Sequence, residues 1–191
     1  MTMKSKPSLK RRDFLNLGAF AAFIPLTIPL IANTKQSSGI KEGRRVVTGL
    51  NSSGKSIIIS DGFVPKNARE LSTTNTNSDL WLENQVPVDL NDNSDHFIGY
   101  SLRTEPPKAG LTARIVTWQP GFSYPMHRTN TLDILFVVSG RIELILEEGK
   151  TILAAGDSAI QRGTKHGWRV DGNEPCTVGV VLISARETTG G

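Results

Sequence analysis

The chain has 191 residues, with 22 Lys and Arg against 18 Asp and Glu and a sequence pI near 9.4; this is room for one domain with an appendage, not for a multidomain machine. Lys4, Lys6, Lys10, Arg11 and Arg12 against Asp13 account for the whole net charge of +4, so the remainder is neutral and offers no basic stripe to nucleic acid. Cys176 is the only cysteine, which excludes an intramolecular disulfide and a cysteine zinc cluster and leaves stability to an apolar core.

No charged residue occurs from Phe14 to Thr34, and the stretch from Leu17 to Ala32 is mostly Leu, Ile, Ala, Phe and Pro, directly behind Lys10-Arg11-Arg12. A basic segment followed by an apolar one has the build of an export signal. Residues 1–34 are read as a signal peptide or a retained N-terminal membrane anchor, with Pro25 and Pro29 weighing against a regular spanning helix. Arg11-Arg12-Asp13-Phe14-Leu15 resembles the core of the twin-arginine (Tat) signal, while Lys10 and Asn16 depart from its flanks. The resemblance implies passage through the Tat export machinery to the periplasm, a route taken by proteins already folded.

Beyond Lys35 the sequence reads as strands: 56–60, 111–118, 132–138, 141–147, 151–154, 158–161 and 176–184 are short β-branched or alternating runs parted by Gly, Asn, Asp and Pro. Ile142, Leu144 and Leu146 alternate with Arg141, Glu143 and Glu147, giving one face to a core and one to water. The run from Ile134 to Val138 is apolar on both faces and predicts a central strand. Ser139-Gly140, Glu148-Gly149-Lys150 and Asp171-Gly172-Asn173 mark turns. The polar segments 72–79 and 91–95 predict loops that bury nothing. The expectation is an all-β domain, a sandwich or barrel, with an N-terminal arm over 35–110 and a β core over 111–187.

Gly121-Phe-Ser-Tyr-Pro-Met-His127-Arg-Thr129-Asn-Thr-Leu-Asp133, followed by Gly140, has the spacing of the first cupin motif, with Thr129 at the second histidine position and Asp133 at the glutamate position. Gly156-Asp157, Gln161-Arg162-Gly163 and His166-Gly167-Trp168 resemble the second motif. The chain from 111 to 187 is thus similar to small single-domain cupins of the cupin 2 type. That resemblance implies a double-stranded β-helix, a jelly-roll barrel, and leaves the chemistry open, since such barrels host oxygenases, isomerases, epimerases and binding modules.

His127, Thr129 and Asp133 share a parity along the chain and can face one interior, with His166 brought in from a later strand. Two imidazoles and a carboxylate form a set suited to one divalent ion, Fe, Mn, Ni or Zn. A metal-free reading is open beside it, in which His127 or His166 bonded to Asp133 acts as a general base. Tyr124, Met126, Thr129 and Trp168 are read as pocket residues, Trp168 on the face of His166, while Phe136 is read as barrel core. Arg128, Arg141 and Arg162 are candidates to fix a carboxylate, His96 lies outside both motifs, and Cys176 reads as a small buried residue.

Three functions follow as expectations. The first is an exported, metal-dependent cupin oxidoreductase that oxidises a small, partly apolar metabolite through His127, Asp133 and His166. The second is a small-molecule-binding cupin without catalysis, and the third a metal-free His-Asp isomerase or epimerase. Exposed strand edges at the end of a small barrel predict a homodimer.

Overall fold

The computed structural model describes residues 43–187 apart from 98, 99 and 102, all within the unit Gly39–Gly191. The signal or anchor segment read from residues 1–34 lies outside them.

Strands β1 (Arg44–Leu50) and β2 (Ser56–Phe63) pair as an antiparallel hairpin. Asn51 shapes its turn, its side-chain oxygen accepting from the amides of Ser53 and Lys55. A 3-10 turn, Lys66–Ala68, leads into β3 (Arg69–Leu71) and β4 (Asn75–Glu83). There follow β5 (Leu111–Trp118), β6 (Ser123–His127), β7 (Thr131–Ser139), β8 (Arg141–Leu146), β9 (Gly149–Ala154), β10 (Ser158–Arg162), β11 (His166–Val170) and β12 (Cys176–Ser184).

Beyond the hairpin, the strands form a six-stranded sheet in the order β10-β7-β12-β5-β4-β3 and a four-stranded sheet in the order β6-β11-β8-β9. Strict alternation drives their packing. Every second residue of β5, from Thr112 to Trp118, is buried, as are Leu135 and Val137 of β7 and Cys176 and Val178 of β12. Of these, Val116, Trp118, Leu135, Val137, Cys176 and Val178 meet Ile142, Leu144, Trp168 and Val170 of the other sheet in one apolar cluster. The result is the all-β jelly-roll barrel that the motif spacing implied. A second cluster, Val64, Ala68, Leu82 and Phe97, forms around the 3-10 turn.

Two local expectations are corrected. The polar run 72–79 enters a strand: β4 pairs with β5 from Asn75↔Trp118 onward, and Asp79 is fully buried. Its backbone is satisfied by the ladder and its charge by Arg114, so polarity did not exclude it from the interior. The run Ile134 to Val138 is central in its sheet, between β10 and β12, yet only one of its faces is covered. Phe136 is 52% exposed and Val138 58%, because alternation commits Asp133, Leu135 and Val137 to the interior and turns Phe136 away from the core.

Candidate functional site

The barrel holds a half-open cavity of about 260 Å³. Its apolar wall comes from both sheets, with Trp118, Tyr124 and Trp168 beside Leu135, Val178 and Leu182. Trp118 stacks on Trp168 at 6.4 Å and on Phe122 at 5.9 Å between ring centroids, so the aromatic side of the wall is braced from behind. His127, Thr129, Asp133 and His166 line the same cavity. Met126 does not. A register shift in the β6–β11 pairing sets His166 opposite His127 and Trp168 opposite Tyr124, which turns Tyr124 and His127, three residues apart, to the same side. Met126 is left 38% exposed with its sulfur over Gly167, where an added Cβ would meet it at 3.2 Å.

The two imidazoles are neighbours, 4.3 Å between ring centroids. His127 donates from Nδ1 to the Pro125 carbonyl at 3.0 Å, and His166 from Nδ1 to the Thr164 carbonyl at 2.8 Å. A carbonyl only accepts, so each Nδ1 carries a proton, and in the neutral ring the lone pair is on Nε2. Burial lowers the pKa of His166, opposed by the bond to the Thr164 carbonyl, with His127 adding to the shift and Asp133 pulling against it. His166 is therefore held as a neutral base or ligand.

Asp133, 8% exposed, has its pKa raised by burial, partly countered by the Thr131 hydroxyl and by His166, Arg114 and His127. The Thr131 hydroxyl, whose influence on Asp133 favours the charged form, lies 2.7 Å from Thr129 Oγ1, so the two threonine hydroxyls pair with each other. Asp133 Oδ1 has no hydrogen-bond partner.

These donors meet part of what a divalent metal needs. Two Nε2 lone pairs side by side, each fixed by a carbonyl on the far nitrogen, are the arrangement of metal-binding imidazoles. No group of three or more His, Cys, Asp or Glu side chains close enough to hold an ion occurs among the described residues, so Asp133 shares the cavity without joining the imidazoles in one such group.

Several cavity residues carried no functional signal in the sequence. Arg114 is inward and 7% exposed, its Nε 3.0 Å from Asp79 Oδ1. Gln161 is 4% exposed and stands directly opposite Asp133 in the β10–β7 ladder. Glu70, Asn75, Asn77, Arg103 and Thr104 complete the polar lining. The only available sign was parity: Arg114 shares its face with Thr112 and Val116, and Gln161 with Ala159. The arginines singled out earlier lie elsewhere, Arg141 pairing with Asp171 at 2.8 Å near the surface. His96 sits 3.6 Å from Glu83 and 3.7 Å from Asp92, away from the cavity lining. Cys176 is buried within the core cluster, and burial pushes its thiol up to about 11.

Residues 114–183 match the cupin domain family. The chain is similar to the cupin-domain-containing oxidoreductase srdD of Neurospora crassa, 35% identical over 156 residues that cover 78% of this chain and 79% of that protein. It is 34% identical over 142 residues to the cupin-domain-containing oxidoreductase fogC of Aspergillus ruber, covering 71% and 68%. Among solved structures, KdgF from Halomonas sp. superposes with a TM-score of 0.42 at 17% identity, over 62% of this chain and 86% of that one.

Proposed function

The chain belongs to the cupin domain family, and on that premise we propose that it is a cupin oxidoreductase that oxidises a small, partly apolar, oxygen-bearing molecule in the barrel cavity, using one divalent metal. The observation that carries the metal is the pair His127 and His166, whose Nδ1 protons are tied to backbone carbonyls and whose Nε2 lone pairs are free. The oxidoreductase class is supported by the names of srdD and fogC. An iron ion held by the two imidazoles would supply redox chemistry, or a manganese, nickel or zinc ion Lewis acidity, with the remaining positions open to water and substrate.

The chain's own residues divide the remaining work. His166, kept neutral by burial, holds its lone pair toward the cavity. The Thr131 hydroxyl, paired with that of Thr129, favours the charged form of Asp133. Trp118, Tyr124 and Trp168 exclude water from one side and offer flat apolar surface to the substrate.

Elemental analysis of the purified protein tests the proposal. About one equivalent of Fe, Mn, Ni or Zn is expected, lost in a His127→Ala/His166→Ala variant that keeps its fold. A folded wild type without metal overturns it. A second reading then takes over, favoured by the lack of a third ligand beside the imidazoles among the described residues: metal-free acid-base chemistry between His166 and Asp133, with turnover that survives chelation and dies with either histidine.

Two further elements belong to the proposal. Export through the twin-arginine route to the periplasm is supported by Arg11-Arg12 and the apolar stretch behind them; a reporter carrying residues 1–40 should stop being exported when both arginines become lysine. Homodimerisation is supported by the outer face of the six-stranded sheet, where Ile160, Ile134 and Val181 form one row and Phe136 lies beside them across Gly179. Phe136, Val138 and Ile160 are each more than half exposed there, an apolar face that a second copy can cover with the same face.

A further inference from the structure

We infer that Arg128, Arg162 and Arg186 form a second site, on the outside of the barrel wall, that binds a phosphate group, either free or as the end of a small ester. It is separate from the cavity and independent of what the cavity does.

Alternation builds this site from the same segments that build the cavity. His127, Thr129 and Gln161 line the cavity, so their chain neighbours Arg128, Asn130 and Arg162 turn the other way. Arg162 stands opposite Leu132 in the β10–β7 ladder, and Leu132 opposite Ile183 in the β7–β12 ladder. The Ala185 amide then donates to the Asn130 carbonyl at 2.9 Å, which brings Arg186 to the same end of the sheet. A groove of about 280 Å³ opens there, with the three arginines around a floor that includes Thr131 and Leu132. The groove and the cavity share no lining residue.

Charge sets the groove apart. Arg44, Arg45, Arg114, Arg141 and Arg169 each hold a carboxylate. The groove lining contains no Asp or Glu, and among the described residues neither Arg162 nor Arg186 forms an ion pair. Glu187, which follows Arg186, accepts from Asn130 Nδ2 at 3.4 Å; three guanidiniums less that one carboxylate leave a charge of +2. A phosphate carries about −2 and three acceptor oxygens, and guanidinium forks bind such oxygens in pairs. A carboxylate has a single charge and two oxygens, which one arginine already fills. The groove is also larger than a phosphate ion, and Leu132 and Ala185 offer apolar surface to the organic part of an ester.

Calorimetric titration of the full chain at low ionic strength with inorganic phosphate, phenyl phosphate and benzoate tests the inference. Both phosphates are expected to bind, and benzoate about tenfold or more weaker. Arg162→Gln/Arg186→Gln should weaken both phosphates about tenfold or more with an unchanged thermal midpoint, while Arg141→Gln, which removes a surface charge elsewhere, should change nothing. Tighter binding of phenyl phosphate identifies an ester as the occupant, and equal or weaker binding the free ion. No binding of either phosphate, benzoate binding as tightly, or equal losses in Arg141→Gln and the double variant overturn the inference. If the double variant does not fold, Arg162→Lys, which keeps the charge and loses the fork, carries the test, and binding as tight as wild type overturns it. Binding that vanishes in His127→Ala/His166→Ala also overturns it, because the phosphate would then sit in the cavity. A metal-free wild type that binds phosphate through Arg162 and Arg186 refutes the metal centre alone.

Discussion

Arg114 Nε lies 3.0 Å from Asp79 Oδ1 across the β5–β4 ladder, where the two residues are paired in register and Asp79 has no exposed surface. The pair sits on the inner side of the sheet with Arg114 in the cavity lining, and the Arg114 guanidinium also donates to the Arg103 carbonyl at 2.9 Å. A charge buried to this degree is tolerable only while matched.

Asp79→Ala is expected to cost about 3–5 kcal/mol, because it leaves the guanidinium buried without its partner. The double variant Asp79→Leu/Arg114→Met should recover most of that loss, since it removes both charges and fills the same space. Urea unfolding of the three proteins checks this, and a double variant as unstable as the single one would show that the pair does more than cancel charge.

Tyr100 donates to the other side of the same carboxylate, Asp79 Oδ2. Burial, then the bond to Asp79, pushes its phenol up to about 12 from an ordinary value of 10.0. Between those values the unfolded chain releases the proton and the folded one keeps it, so the stability Tyr100 contributes is whole below pH 10 and lost as pH rises toward 12. Chemical unfolding from pH 9 upward should show a steeper decline in wild type than in Tyr100→Phe. Parallel curves would mean that the phenol ionises alike in both states.

Gly140, in the turn from β7 to β8, combines a φ of 75° with a Cβ position 2.3 Å from the Pro175 carbonyl oxygen. Gly172 has a φ of 106° with nothing within 4 Å of its Cβ position. Gly172→Ala should cost only the left-handed strain, about 1–2 kcal/mol, and Gly140→Ala clearly more, because the β12 entry must move aside. Thermal unfolding of the two variants gives the ranking, and equal midpoints would contradict it.

Phe136→Glu is expected to halve the mass seen by analytical ultracentrifugation while leaving the fold intact, since the side chain is 52% exposed in the single chain and lies on the proposed dimer face. A wild type that already sediments at the protomer mass would remove this face from consideration.

Much of the barrel was legible in the residues because its signals are local. Strands β5, β7, β8, β10 and β12 announce themselves by alternation and β-branched runs, and the turn at Gly140 by a residue free to adopt positive φ. Strand β4 was hidden, since Asn75 to Asp79 are polar and only their pairing with β5 makes a strand of them. Met126 was misplaced for a related reason: the irregularity that turns it outward arises in the pairing of β6 with β11 and leaves no mark on either sequence.

The all-β class and the neutral charge of the globular part are thus properties of the sequence by itself, set by composition and by the two-residue period of an extended chain, and the positions of His127, Asp133 and His166 are legible there through the resemblance to the cupin motifs. The tertiary structure alone decided that Arg114 is cancelled by Asp79, that Gln161 stands opposite Asp133 with Nε2 unpartnered, and that Phe136 faces outward. Which strand lies beside which, and which buried polar atom finds a partner, are settled by contacts between residues far apart in the chain, and no local pattern encodes them.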